Sequence, residues 1–268
     1  MLDSSLLSDY IATFNGYGDY RAPYWLVGME EGGGGSLDAL NRRLVSWERQ
    51  GKGELSDLSP HHEDGDAVNE RGKQGKLQST WSQLIRVVLA IGRQPTDNAT
   101  VLEYQRTQLG RSGGETCLLE LMPLPSPGLS RWLYSQYSSL PGLESRAAYM
   151  KHYAPARIER LRARMVEHKP AFVMFYSLGY VQYWRQVASV PLTTTSIGGV
   201  TTYFGRNEHT VFAVVPQPAA RIRGKGSGYY VEVGRVVAGM IVLGLGQSTL
   251  QANYIIGPLG AVMCLRSR

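Results

Sequence analysis

Cysteine is nearly absent from this chain. Cys117 and Cys264 are the only two among 268 residues; they have no metal-ligand spacing and make no disulfide framework, which suits a reducing cytoplasm. Charged residues are also sparse, at 19% against 43% hydrophobic, a balance found in folded soluble proteins and not in disordered ones. No uninterrupted apolar run reaches membrane-spanning length; the nearest, Val236 to Leu245, is broken by Gly239 and Gly244. The N-terminus carries Asp3 and no basic-then-apolar signal, so no export is expected. Internal repeats are lacking. These absences argue against a membrane protein, a disulfide-stapled secreted scaffold and a solenoid, and they predict a cytoplasmic protein.

What is present is length and positive charge. The chain suffices for one large α/β domain or two small ones. Strands alternate with helices throughout, which predicts a three-layer α/β/α sandwich with a central, mostly parallel sheet. One domain over residues 1–245 accounts for the pattern, followed by an apolar, glycine-interrupted tail over 246–268 with no assigned role. The net charge of +6 and a pI near 9.3 favour an anionic partner, nucleic acid first.

Apolar spacing predicts helices over Leu6 to Phe14, Asp38 to Trp47, Ser79 to Ile91 and Asn98 to Leu109. The third is the clearest, with Trp81, Leu84, Ile85, Val88 and Leu89 on one face, Ser79 or Thr80 as N-cap and Gly92 just past its end. Pro155 at a first-turn position predicts a basic helix from Ala156 to His168, with Arg157, Arg160 and Arg164 on a solvated face. Continuous apolar runs predict strands at Tyr24 to Val27, Thr116 to Met122 and Ala171 to Ser177, and two more at Val200 to Phe204 and His209 to Val215. Tyr180 to Val187 and Tyr229 to Val242 complete the helices. Glu48 to Gly75 is polar and reads as a long loop.

Two tempting motifs carry no chemistry. His61-His62-Glu63-Asp64-Gly65-Asp66 matches neither a zinc pattern nor an EF-hand loop, so a solvated loop and no metal are expected. Gly110-Arg111-Ser112-Gly113-Gly114 satisfies G-x-S-x-G, but a nucleophile elbow follows a strand and precedes a helix, and here the order is reversed.

Three other stretches place chemistry at strand ends. Tyr24 to Val27 runs into Gly28-Met29-Glu30-Glu31 and four glycines, putting two carboxylates where open α/β sheets bind ligands. Glycine there lets a phosphate or sugar approach bare N–H groups. Cys117-Leu118-Leu119-Glu120-Leu121-Met122 carries one carboxylate in an apolar strand, which is costly unless it is paired or catalytic. The last strand empties into Val215-Pro216-Gln217-Pro218-Ala219-Ala220-Arg221-Ile222-Arg223-Gly224-Lys225-Gly226, a proline-stiffened loop with three cations.

In this order the three stretches resemble the motifs of the uracil-DNA glycosylase superfamily, over roughly Tyr24 to Val237. Val27-Gly28-Met29-Glu30-Glu31-Gly32 is similar to the motif that handles the attacking water. Leu118-Leu119-Glu120-Leu121-Met122-Pro123 is similar to the strand with the base-reading Asn, and Val215 to Gly224 to the His-Pro-Ser loop with its Arg-Gly. Phe172 to Gly179 matches the strand before that loop. The departures are informative: Glu30 stands for Asp or Asn, Glu120 for Asn, and Val215 for His. An ionised Glu120 would repel the C4 oxygen of uracil but accept from the N4 amino group of cytosine.

The resemblance thus implies a monofunctional DNA glycosylase that flips out and excises a modified cytosine-type base, such as the glucosylated hydroxymethylcytosine of phage DNA, leaving an abasic site. Glu30, or Glu31 in its place, is implied as the catalytic carboxylate. Glu120, Met29 and Val215 are implied at the base. Gln217, Arg221, Arg223, Lys225 and Gly226 are implied at double-stranded DNA. No metal, organic cofactor, membrane or obligate protein partner is implied. Two alternatives stay open: a uracil-DNA glycosylase with an atypical pocket, and a non-catalytic DNA-binding relic.

Overall fold

The structure, a computed structural model, describes residues 1–58, 76–128, 130–221 and 226–246. The His61 to Asp66 segment, Arg223, Lys225 and the tail beyond residue 246 lie outside the described residues.

The chain is an α/β protein built on one mixed, mostly parallel sheet of eight strands in the order β3-β1-β4-β2-β5-β8-β7-β6, with flanking helices. Its centre is four mutually parallel strands: β4 (Thr116–Glu120), β2 (Tyr24–Gly28), β5 (Phe172–Tyr176) and β8 (Val211–Val215). They are almost wholly apolar and buried, as strands covered on both faces must be. Register sets Gly28 beside Glu120 and Tyr176 beside Val215. The four carboxyl-terminal ends therefore form one row, Glu120, Gly28, Tyr176 and Val215.

The edges were not legible as strands. β1 (Gly16–Gly18) is a glycine-flanked triplet antiparallel to β4, and β3 (Leu55–Ser56) pairs with β1 inside the stretch expected to be loop. On the other side β7 (Val200–Arg206), expected at Val200 to Phe204, forms an antiparallel hairpin with the unexpected edge strand β6 (Thr193–Ile197), which is polar and mostly exposed. Such short or solvated strands carry no hydrophobic alternation to detect.

The early helices are α1 (Ser4–Thr13) and α2 (Leu37–Arg49), which meet through an edge-on Tyr10–Trp47 contact at 5.1 Å. Next come α3 (Ser79–Ile91), the span predicted, and α4 (Asn98–Thr107). The N-cap of α3 is Gln78, whose side chain accepts from the Trp81 N–H at 2.6 Å, in place of Ser79 or Thr80. Gly92 sits at φ −75° and does not take the left-handed conformation; the positive φ falls on Arg93. Opposite α3 lies α8 (Ser227–Gly246), which buries Tyr230, Val233 and Val237. A side chain at Gly234 would put its Cβ 2.5 Å from the Val87 carbonyl oxygen, so glycine sets how closely these two helices cross. Among the described residues, no helix is long and apolar enough to cross a membrane.

The largest correction concerns the basic helix. After a short turn of helix, α5 (Tyr134–Tyr137), α6 runs over Arg146–His168, capped by Ser145, with Pro155 inside it. A proline that could open a helix was read as opening this one, although residues 146–154 are good helix formers. Arg157, assigned to a solvated face, is 3% exposed. Its Nε donates to the Leu121 carbonyl at 2.9 Å and its Nη2 to the Glu120 carbonyl at 3.1 Å, clasping the end of β4. Arg160 reaches the Ala12 carbonyl, and Arg164 pairs with Glu54 at 2.5 Å. After β5 a single 3-10 turn, Leu178–Tyr180, leads into α7 (Val181–Ala188).

Candidate active site

The chain leaves β2 at Gly28 without losing its neighbour. Leu121 N–H donates to the Gly28 carbonyl and Met122 N–H to the Met29 carbonyl, each at 2.8 Å, and Ser126 N–H to that of Glu31 at 2.9 Å. The loop bearing Glu30 and Glu31 is thus stitched to the loop beyond Glu120. Carboxylates from two different strand ends are held in one place by backbone bonds.

Each of the two loop carboxylates has its own arginine. Arg146, the first residue of α6, grips Glu30 with Nε at 2.9 Å from Oε1 and 3.2 Å from Oε2, while its Nη2 lies 2.8 Å from Oε1 and donates to the Tyr180 hydroxyl at 3.0 Å. Burial raises the pKa of Glu30 above the ordinary carboxylate value, and the Arg146 contacts oppose that rise. Glu31 is ion-paired with Arg43, which α2 buries beside Leu40 and Leu44 and which also donates to the Tyr17 hydroxyl at 3.1 Å.

Among the described residues, no cation is bonded to the Glu120 carboxyl group. Its Oε1 accepts from the Tyr176 hydroxyl at 3.0 Å, and its Oε2 is buried with no hydrogen-bond partner among the described residues. Burial, first, and then the negative charge of Glu31 push its pKa well above the ordinary value, against the Tyr176 hydrogen bond. These surroundings favour the protonated form of the group over the carboxylate. This meeting of Glu120 and Tyr176 requires glycine at position 28: a Cβ there would lie 2.2 Å from the Tyr176 hydroxyl oxygen and 2.3 Å from Glu120 Oε2. Just beyond Tyr176, Ser177 turns the chain at φ 83°, a strained angle for a residue with a side chain.

Glu30, Glu31 and Glu120 line one cavity of about 130 Å³, together with Tyr17, Arg43, Trp81, Tyr176 and Gln217. A dry cavity of ~150 Å³ accommodates a benzene ring, so the enclosed space suits a single six-membered ring. The wall is mixed: a partly exposed indole, phenols, the Glu31–Arg43 pair, Glu30 with Arg146 behind it, and the Glu120 carboxyl group. Such a site can stack a flat ring, hydrogen-bond its edge and stabilise positive charge beside it. Among the described residues, no group of three or more His, Cys, Asp or Glu is placed to hold a metal.

Of the residues singled out in the sequence, Glu30, Glu31, Glu120 and Gln217 are brought together. Met29 and Val215 are buried, at 5% and 0% exposure, and do not line the cavity. Arg221 and Gly226 are exposed between β8 and α8. Ser112 lies in a plain loop between α4 and β4, its N–H bonded to Asp57 at 2.9 Å. Sequence reasoning missed Tyr17, Arg43, Trp81, Tyr176, Arg146 and Tyr180. Arg43 left one trace, a charge within the apolar Leu40–Leu44–Trp47 face.

No protein-family model matches the chain, and no curated protein matches it. The fold and site define an α/β protein whose parallel strand ends carry a carboxylate-lined cavity sized for one ring.

Proposed function

We propose that the chain is a monofunctional DNA glycosylase of the uracil-DNA glycosylase type, with the sheet as the middle of a three-layer α/β/α sandwich, acting on a modified cytosine-type base. The observation that carries this reading is the pairing of Glu30 and Glu120 in one ring-sized cavity, in opposed surroundings: Glu30 is gripped by Arg146, and Glu120 Oε2 is buried with no hydrogen-bond partner among the described residues. Two carboxyl groups driven to different protonation states are the usual equipment for cleaving a glycosidic bond.

A flipped nucleotide would put its base in the cavity, stacked on Trp81, with its pairing edge toward Glu120. Neutral Glu120 donates its proton to the ring nitrogen of cytosine and accepts from the exocyclic amino group. The C1′–N1 bond breaks, its electron pair leaving with the protonated base as a neutral tautomer. Glu30 stabilises the cationic sugar and takes a proton from the water that adds to C1′. The Arg146 contacts favour the ionised form of Glu30 that this role requires, against its burial. Duplex DNA is gripped by the basic connection around Gln217, Arg221 and Gly226. A glucosylated hydroxymethyl group exceeds the room beside one ring, so it would project out of the cavity.

A protonated Glu120 would also favour a second reading. The argument against uracil rests on an ionised carboxylate, whereas a carboxylic acid can donate to the C4 oxygen and accept from N3–H. The two readings differ in the step that follows, because the C4 oxygen of uracil is too weakly basic to take the proton. The test is incubation with duplexes that differ in a single base, uracil, cytosine or a cytosine modification, followed by alkali. Strand breakage only at modified cytosine supports the reading; breakage only at uracil supports the second; duplex binding without breakage leaves a non-catalytic binder.

A further inference from the structure

Tyr176 is half-buried and caps only one oxygen of Glu120, at 3.0 Å, above a glycine that admits no side chain. Phenol oxygen and carboxyl oxygen share the space that a Cβ at Gly28 would fill. A hydroxyl that donates to Oε1 makes Oε1 the carbonyl oxygen of the neutral acid and leaves the proton on Oε2, the oxygen with no partner among the described residues.

From this geometry we infer that Tyr176 is a positioning residue, which fixes the Glu120 carboxyl so that its proton is carried on Oε2 and offered to a base with a ring-nitrogen acceptor beside an exocyclic N–H donor. The inference rests on the glycosylase reading for the identity of that base, and deepens it by naming the edge that is read. Oε1 keeps a second lone pair after accepting from Tyr176, so the acid presents one acceptor and one donor side by side. This is the complement of an amidine edge. Glu120 lines the cavity, so a swing of its side chain about the Tyr176 hydrogen bond as pivot is what brings Oε2 to the base edge. With an amidine edge the proton crosses to the ring nitrogen and leaves a carboxylate hydrogen-bonded to two N–H donors. The Tyr176 hydrogen bond then strengthens, because its acceptor has become charged.

Among the described residues, charged and titratable groups face Glu120 from three elements. Glu30 and Glu31 approach from the loop after β2 and raise its proton affinity; Arg43 from α2 and Tyr176 from β5 lower it. Tyr17 from β1 also lines the cavity. Removing the Tyr176 hydroxyl therefore takes away a stabiliser of the ionised form, so the Glu120 pKa must rise further.

The test is carbon-13 NMR of the intact chain labelled at glutamate Cδ, with the Glu120 signal identified by its loss in Glu120→Gln. The signal should titrate well above the ordinary carboxylate range, move higher in Tyr176→Phe, and move lower when tyrosines are replaced biosynthetically by fluorotyrosine, a stronger donor. An ordinary titration, or one unmoved by both changes, overturns the dyad. In parallel, base release by Tyr176→Phe should fall about tenfold at its plateau, with its alkaline limb displaced to higher pH. Release of modified cytosine with an unmoved limb overturns the positioning role and leaves the glycosylase reading intact. A displaced NMR titration with no base release upholds the dyad and defeats the glycosylase reading.

Discussion

Arg146 holds both carboxylate oxygens of Glu30 across a separation of 116 residues, with Nε at 2.9 and 3.2 Å from them. The pair ties the start of α6 to the loop after β2, and its side chains are 18% and 10% exposed. Removing one partner of a largely buried pair leaves an uncompensated charge, at a cost of about 3 kcal/mol. Arg146→Gln should lose roughly that much stability in chemical denaturation, while Arg146→Lys should retain most of it. An unchanged denaturation midpoint in Arg146→Gln would show that the pair is idle.

Glu120 should make the protein less stable as pH rises. Its folded pKa lies well above the ordinary glutamate value of 4.5. The acid is protonated in both states below that value, and above it the unfolded chain ionises first. Its favourable contribution is therefore complete below about pH 4.5 and is lost progressively up to the folded pKa. Glu120→Gln removes the titration, so its stability curve should coincide with the wild type in acid and rise above it toward neutrality. Parallel curves across the whole range would refute the raised pKa.

Gly28→Ala tests the contact beneath the dyad. The new methyl would sit 2.2 Å from the Tyr176 oxygen and 2.3 Å from Glu120 Oε2, neither of which can stay in place. Overpacking of this kind costs about 1–3 kcal/mol. Base release should fall at least a hundredfold, on the order of what general acid catalysis supplies. Near-normal release would mean that the dyad is not part of the chemistry.

Arg157 has a structural role that its position in a basic helix disguises. Burial lowers its pKa to about 10, and it satisfies the Leu121 and Glu120 carbonyls. Arg157→Met keeps the apolar stem and strands both acceptors, for a loss of about 2 kcal/mol or more by thermal or chemical unfolding.

On the outer surface, Arg221 is exposed next to the loop that carries Gln217. If it meets a phosphate, Arg221→Ala should weaken duplex binding equally for all sequences. The slope of log affinity against log salt should become shallower by about 0.9. Fluorescence anisotropy at several salt concentrations measures both.

The sequence exposed the parts of this molecule whose signal is local. The strands ending at Gly28, Glu120, Tyr176 and Val215 are continuous apolar runs, and α3 repeats its stripe over every turn, so both were legible. β1, β3 and β6 were not, because a glycine-flanked triplet, a two-residue bridge and a polar edge strand carry no periodic burial. The same limit applies at the site. Glu30 and Glu120 announced themselves as charges at the mouths of apolar strands. Arg146 is brought to Glu30 only by tertiary folding, and Tyr176 reads as one more aromatic in a core strand. Pro155 hid the beginning of α6, and with it the clamp on Glu30.

The most direct test of the account is base release from a duplex carrying one modified cytosine, measured as alkali-labile strand breakage with wild type, Glu30→Gln and Glu120→Gln side by side. The account predicts breakage at that nucleotide with wild type and its loss in both variants. Breakage that survives in both variants, or its absence with wild type on every cytosine modification and on uracil, would contradict it.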